Sequence, residues 1–443
     1  ALYSSLIWVD ESPVDGLFVG ENTDLIRNIL NICSENHSKT SKREILTLLS
    51  SIEGFFEPNC LNKIKKYQHE AVLQMAAAPI LFSEEQAGTG ILQISEGCPY
   101  FCNFCSESWG RKSYREESAA RLLKNAKKMK IAQGLNNIEL CSFNFNIHSD
   151  FYTILRDLSD NFLTIGLKSQ RFDQLGRNPE MLKFLQVVGK LSITCGLEGI
   201  SERLRIYLHK NLSENDLFRS LEKLLSAPLR ELKVFLIATG LESDADYADF
   251  NALLAKMASW IKKSDKKPRV MFSMTPLVRF PWTPLEFADT PVPEAYLPIL
   301  RETEKLCRDY GFEFRWSADV QDYFVSQILV RASDPKIYES LLATLRETDF
   351  VYHQEMDRRF VHIFIRHLNQ RGMSIPSLLK GHTPAERISK PWSRVELNIR
   401  EEYLWKQYQN ALNGIETAAC LGNAESSGTC SDCGPCPDAQ HRK

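Results

Sequence analysis

From about residue 90 to residue 276 the chain alternates short apolar runs with longer stretches of helical period, and this alternation constrains the fold more than any other feature. Residues 92–95, 137–142, 161–168, 191–196, 231–238 and 269–275 read as strands. Between them, 116–133, 150–159, 179–188, 202–209 with its extension 214–226, and 244–262 read as helices. Strands that alternate with helices imply a parallel sheet, because neighbours running the same way need a crossover between them. Right-handed crossovers curl such a sheet toward a barrel. The expected fold class is α/β: an incomplete parallel (β/α)6 barrel, open on one side, with a helical C-terminal extension and a Cys-rich tail.

The flanks read differently. Residues 1–88 hold a short strand at 16–20, a helix at 25–33, a polar linker at 34–42 and a helix at 44–51. After Pro284 helical period dominates, at 294–310, 319–330, 335–347 and 401–412. From Cys420 onward the chain is rich in Gly, Ser and Cys and has no period, so only a bound metal or docking is expected to order it. The expected organisation is an N-terminal segment 1–88, a core 89–290, a helical region 291–415 and a tail 416–443.

Charge narrows the function. Lys and Arg number 54 against 56 Asp and Glu, a net charge of -2, so no global field draws the protein onto nucleic acid. The basic run 121–130 is read as a solvated helix face. No apolar stretch approaches the length of a membrane span and no signal peptide opens the chain, which points to the cytoplasm with no membrane partner. The chain opens abruptly on Ala1 in an apolar segment, and an upstream part is expected to be missing.

Twelve cysteines carry the chemistry, and seven fall into two tight clusters. Two-residue gaps suit a metal or an iron–sulfur cluster better than a disulfide. Cys33, Cys60, Cys141, Cys195 and Cys307 are scattered among apolar neighbours and read as small hydrophobes. The first cluster, Cys98, Cys102 and Cys105, follows the first predicted strand. Three thiolates on a short loop can hold three irons of a cubane and leave the fourth iron open to a ligand. A zinc loop or buried thiols are the competing readings. The second cluster, Cys420, Cys430, Cys433 and Cys436 with Pro437 behind it, supplies four thiols, enough to close a second iron–sulfur cluster; a four-cysteine zinc site fits the same gaps.

The spacing Cys-x3-Cys-x2-Cys, with Phe104 just before the last Cys, resembles the signature of radical S-adenosylmethionine enzymes. The resemblance implies that three thiolates hold a [4Fe-4S] cluster, that S-adenosylmethionine binds the open iron, and that a 5′-deoxyadenosyl radical results. It implies cofactor contacts at Phe104 (adenine), at Ser142 in 138–144, at Arg171 in 168–171, at Glu198 in Cys-Gly-Leu-Glu-Gly, and at Gly240 in Ala-Thr-Gly-Leu-Glu. Pro and a second Gly of the family pattern are absent from this last segment. Two alternatives stand beside these contacts: an ion pair of Glu198 with Arg203 or Arg205, and a surface position for Arg171. Residues 211–216, 273–286, 391–396 and the tail resemble the subgroup that usually carries an N-terminal cobalamin-binding domain, and 13–21 resembles that domain's closing strand. Cobalamin is thereby implied if an upstream domain exists, and methyl transfer to an unactivated carbon with it. A flavodoxin- or ferredoxin-like electron donor is the implied partner, and the substrate is unassigned. Hydrogen abstraction without cobalamin, sulfur insertion, and an electron carrier or assembly protein without radical catalysis are the alternatives. Phe280 and Trp282 are read as packing residues, and His353, His362 and His367 as core or surface positions.

Overall fold

Seven parallel strands form the centre of the computed structural model: β1 (Thr89–Gln93), β2 (Asn137–Cys141), β3 (Thr164–Leu167), β4 (Ser192–Glu198), β5 (Glu231–Ala238), β6 (Arg269–Pro276) and β7 (Glu313–Trp316). The structure describes residues 7, 9, 12–58, 63–67, 88–167, 169–264, 267–351, 356–420 and 433–436. Hydrogen bonding groups the strands into two parallel sheets, β1-β2-β3 and β4-β5-β6-β7. The sheets meet at one bridge between Gln170 and Cys195, where the Gln170 N–H donates to Thr194 O at 2.8 Å. This differs from the six-strand barrel expected above: a seventh strand is added, and no continuous ladder joins β3 to β4 among the described residues.

The helices sit where the alternation puts them. Buried Ala119, Leu122, Ala126 and Met129 recur at helical spacing on Ala119–Gln133, while Lys124, Lys127 and Lys128 face outward. Ser213 caps Glu214–Ser226 by accepting from Asp216 N, and a Ser243–Asp246 capping box opens Asp244–Lys263. Such caps contribute about 1 kcal/mol each. One apolar core runs from Leu92 to Val320 and includes buried residues of β1 to β6.

β4 is irregular where it matters. Gly196 stands opposite Phe235 and Glu198 opposite Leu236, so the strand carries one extra residue, and Glu198 takes a left-handed φ of 67°. A bulge of this kind re-aims a side chain at the end of a strand.

The ends of the chain are stitched together. Ile64–Lys65 pairs in parallel with Val395–Glu396, and Val19 and Ile64 share an apolar cluster with Trp392, Leu397 and Leu404. Glu21 meets Arg115 at 3.3 Å and Lys66 at 3.4 Å, and Arg115 also pairs with Glu96 at 2.5 Å. Trp282 is buried with its indole N–H on Trp392 O, a packing role as expected. His367 meets Glu347, His362 is exposed, and His353 lies outside the described residues.

Candidate metal and cofactor site

The loop after β1 leaves and re-enters through a narrow neck. Ser95 and Glu96 pair antiparallel with Glu116 and Arg115. Within the neck Gly97 has φ 71°, and a Cβ there would stand 2.3 Å from Arg111 O and 2.7 Å from Ser113 O. Only glycine combines that backbone with that clearance.

The three thiols of the loop share one small cluster with Tyr100, Tyr114 and Ile147. Cys98 and Cys102 are buried, and Cys105 is half-buried as the N-cap of the short helix Ser106–Gly110. The Ser108 N–H donates to Cys105 Sγ at 3.4 Å, and the Asn144 amide lies 3.7 Å from Cys98 Sγ. Lys112, almost fully buried, donates to Cys98 O at 2.7 Å and Tyr100 O at 2.9 Å and lies 4.0 Å over the Phe101 ring. The Trp109 indole donates to Cys102 O at 2.9 Å. The loop backbone is therefore held by side chains of the loop itself. Burial pushes the Cys105 thiol up to about 12 and raises Cys102 as well, with Lys210 and Arg171 pulling Cys102 back. Among the described residues, no three His, Cys, Asp or Glu side chains are gathered as the ligands of a single metal ion.

The other expected contacts gather at the carboxyl ends of the strands, where parallel sheets bind ligands. Phe104 packs between the thiol cluster and Ile237, Leu277 and Leu285 at the ends of β5 and β6. Ser142 follows β2, and its buried hydroxyl has no hydrogen-bond partner; Gln170 Oε1, after β3, has none either. The Gly240 N–H is taken by Glu242 at 2.9 Å, and a Cβ on Gly240 would meet Pro291 at 2.4 Å.

Arg171 is not a surface residue. It is 1% exposed, stacks 3.4 Å from the Tyr100 ring centroid, pairs with Asp173 at 2.8 Å and donates to Lys210 O at 2.6 Å. Glu198 pairs with neither Arg203 nor Arg205. Arg203 goes to Asp246 at 2.6 Å and Arg205 lies 3.9 Å from Glu214, while Glu198 accepts from Lys210 at 3.0 Å. The bulge in β4 turns Glu198 away from the following helix and toward the turn carrying His209 and Lys210. Burial opposes the Lys210 charge, yet Glu198 holds its pKa above the usual lysine value. Lys168 lies outside the described residues.

Residues 416–420 cross this region as a strap. The Asn211 N–H donates to Glu416 at 2.7 Å, and His209 Nε2 lies 2.9 Å from Thr417 O and 3.0 Å from Thr417 N. Ala419 packs on the thiol cluster, and the Cys420 N–H donates to Pro99 O at 2.8 Å. Cys420 and Cys433 both join the apolar cluster of Phe101, Trp109 and Tyr403 behind the cysteine loop. Arg400 N donates to Cys433 O, and Gly434 passes so close to Asn398 O that a Cβ would stand 2.3 Å away. Cys436 is half-buried, and Cys430 lies outside the described residues. Of the scattered cysteines, Cys195 and Cys307 are buried, Cys33 and Cys141 half-buried, and Cys60 lies outside the described residues. Lys112, Lys210 and His209 escaped the sequence reading, their only signal being position beside the motif segments; Asn144 lies within the segment 138–144.

Residues 92–254 match the family model described as the Radical SAM superfamily. An uncharacterized protein of Methanocaldococcus jannaschii is 25% identical over 211 residues, 44% of this chain and 42% of that protein. The chain thus spans about two fifths of the length of that curated relative. A radical S-adenosylmethionine methyltransferase, TsrM of Kitasatospora setae, with cobalamin and a [4Fe-4S] cluster bound, superposes with a TM-score of 0.43 at 14% identity, covering 66% of this chain and 59% of that one. OxsB, a cobalamin-dependent S-adenosylmethionine radical enzyme, superposes with a TM-score of 0.42 at 14% identity, covering 89% and 68%.

Proposed function

We propose, on the premise that residues 92–254 belong to the radical S-adenosylmethionine superfamily, that the chain generates a 5′-deoxyadenosyl radical to activate a C–H bond. The observation that supports this best is the gathering of buried Cys98 and Cys102 with half-buried Cys105 in one cluster on the loop that follows β1. The three thiols would hold a [4Fe-4S] cluster. Bound there, the cluster supplies the single electron that splits S-adenosylmethionine into methionine and the radical. Ser142 Oγ and Gln170 Oε1 are the polar groups left to meet the cofactor, and the Phe104 ring offers it an apolar face. Lys112 and the Arg171–Asp173–Tyr100 group fix the loop that carries the thiols. Glu198 and Gly240 shape the floor through Lys210 and Pro291.

The finer reaction we propose is methyl transfer to an unactivated carbon with cobalamin from an upstream domain, a reading that rests on the motif resemblance of 211–216 and 273–286. Cys420, Cys430, Cys433 and Cys436 would hold a second iron–sulfur cluster, for which the docking of Cys420 and Cys433 on the Trp109 cluster is the support. A cytoplasmic location and a flavodoxin- or ferredoxin-like donor complete the reading. Among the described residues no helix is long and apolar enough to cross a membrane.

Anaerobically reconstituted protein given S-adenosylmethionine and a strong reductant should release 5′-deoxyadenosine. Changing Cys98, Cys102 or Cys105 to Ala should abolish the release, and undiminished cleavage in any of the three would remove the assignment. Iron should approach about eight per chain, against about four with zinc in the tail, and about half of it should be lost when all four tail cysteines become Ala. Cobalamin copurifying with the longest natural form, seen in its absorption spectrum, tests the methyl-transfer reading.

A further inference from the structure

One segment from the far end of the chain closes over the thiols. Cys98 and Cys102 are 6% and 7% exposed. Among the described residues, the side chains packed in their cluster all lie within 98–147, except that of Ala419. The cover brought in from elsewhere is therefore the strap 416–420, and its apolar hold on the thiol cluster is one methyl group. Beyond that methyl the strap is pinned by the Cys420 N–H on Pro99 O and by Cys420 against the Phe101 cluster.

The hold is slight along the whole segment. From Leu412 to Cys420 no residue is fully buried, and Leu412 to Ile415 and Ala418 are exposed. Segments that bury few apolar groups are the ones that open locally while the rest of a fold stays shut. Gly414, two residues past the helix Glu401–Leu412, takes a left-handed φ of 68° with nothing within 4 Å of the place a Cβ would occupy. A change of backbone angle there would swing 416–420 without disturbing the helix.

The seat at the other end of the strap is polar and incompletely paired. Asn211 donates from its side chain to Thr417 O at 2.9 Å, and Gln407 donates to Thr417 Oγ1 at 3.3 Å. Arg205, whose charge acts on Glu416, lies in the same seat. Yet Asn211 Oδ1, Gln407 Oε1 and Arg205 Nε and Nη2 are buried without a hydrogen-bond partner. Gln407 and Arg205 are 0% and 2% exposed, and Glu214 stays 3.9 Å from Arg205. Buried donors and acceptors are nearly always paired, and each one left unpaired raises the free energy of the state that buries it. Lifting the strap would let water reach these atoms, so the seated form is held less firmly than the core beneath it.

We propose that residues 416–420 are a gate over the thiol loop. Lifted about Gly414, the strap bares Cys98 and Cys102 to solution; seated, it closes that approach. The gate needs no reaction to exist. Its use, admitting S-adenosylmethionine and then shutting water out, rests on the radical-enzyme reading.

Thiol labelling reads the gate without turnover. The full chain, before reconstitution, is treated with N-ethylmaleimide under native conditions, and each cysteine is followed by mass spectrometry of its peptide. One opening exposes both strap and thiols, so the slowing of Cys98 and Cys102 relative to the unfolded chain should match the hydrogen-exchange protection of 416–420 within about fivefold. Thiols slowed far beyond the strap amides would be covered by something else, and the gate would be overturned. Glu416→Ala combined with Thr417→Ala removes the bonds to Asn211 N and Gln407. It should label Cys98 and Cys102 at least about fivefold faster and leave Cys195 and Cys307, buried in the main core, unchanged. No gain in rate, or an equal gain at all four cysteines, would make the strap a fixed part of the fold and overturn the proposal. S-adenosylmethionine added to the reconstituted protein should slow exchange at 416–420, and exchange that ignores it would overturn the gate's use by the cofactor. Cleavage of S-adenosylmethionine is read on the same protein. Gated thiols without cleavage fail the catalytic reading alone, and cleavage under a fixed strap fails this inference alone.

Discussion

Replacing Glu198 with Gln should destabilise the protein more than replacing both Glu198 and its partner. The carboxylate accepts from Lys210 at 3.0 Å, with side-chain exposures of 13% and 9%. At that distance an effective dielectric constant of about 20 gives roughly 5 to 6 kcal/mol of attraction, most of it offset by desolvating two ions. Removing one partner leaves the other charged, buried and alone, which costs about 3 to 5 kcal/mol. Glu198→Gln and Lys210→Met should therefore each lower stability by about 3 kcal/mol. The double variant should lose about 2 kcal/mol, an interaction energy near 4 kcal/mol in a double-mutant cycle. Urea unfolding of the metal-free chain, followed by far-ultraviolet circular dichroism, measures all four proteins. Additive losses, with coupling below about 0.5 kcal/mol, would refute the reasoning and return Glu198 to the role of a free ligand group.

Gly97→Ala should lower stability by about 3 kcal/mol or more and reduce iron retained on reconstitution, because the new Cβ lies 2.3 Å from Arg111 O at φ 71°. Gly88→Ala is the control: its φ is 78° with nothing within 4 Å, so it should cost only about 1 kcal/mol, and equal losses would show the clearance argument wrong. Burial holds His209 below the ordinary 6.5, so its neutral ring, set against the Thr417 backbone, is the folded form. The unfolded histidine takes up a proton first. The docking of 416–420 should accordingly be at full strength above about pH 6.5 and weaken as pH falls toward the folded value. Hydrogen exchange at 416–420, corrected for intrinsic rate, should speed up from about pH 7.5 to 5.5; protection that does not change with pH would remove His209 from that role.

The alternation of apolar runs was enough to locate six strands and their helices, because each strand carries buried apolar residues and is followed by a stretch of helical period. The seventh strand, Glu-Phe-Arg-Trp at 313–316, was not legible. It has four residues, pairs with one neighbour only, and half of it is charged, so nothing separates it from a loop. The helix Arg358–Gln370 was not legible for a similar reason, its three arginines and two histidines masking the apolar stripe of Phe360, Val361, Ile363 and Phe364. At the site, the cysteine spacing declared itself, whereas the partner of Glu198 did not. Which base meets that carboxylate depends on a single bulge, and a one-residue shift in a strand turns a side chain to the other face. Arg279, a lone charge in Leu-Val-Arg-Phe-Pro, is 1% exposed, and nothing in that segment distinguishes a buried arginine from one turned outward.

The strap across the cysteine loop also sets an order of events during synthesis. Pro99 and the Cys420 that bonds it are separated by more than three hundred residues. At about 5 to 20 residues per second, the cysteine loop is made some 15 to 60 s before the segment that covers it. Everything needed to form the loop's own scaffold (Gly97, Lys112, Trp109 and the neck at Arg115 and Glu116) is synthesised within that first stretch. The nascent chain thus carries an uncovered thiol loop until residues 416–420 are made, and on the proposed reading that interval is when iron and sulfide would reach it most freely.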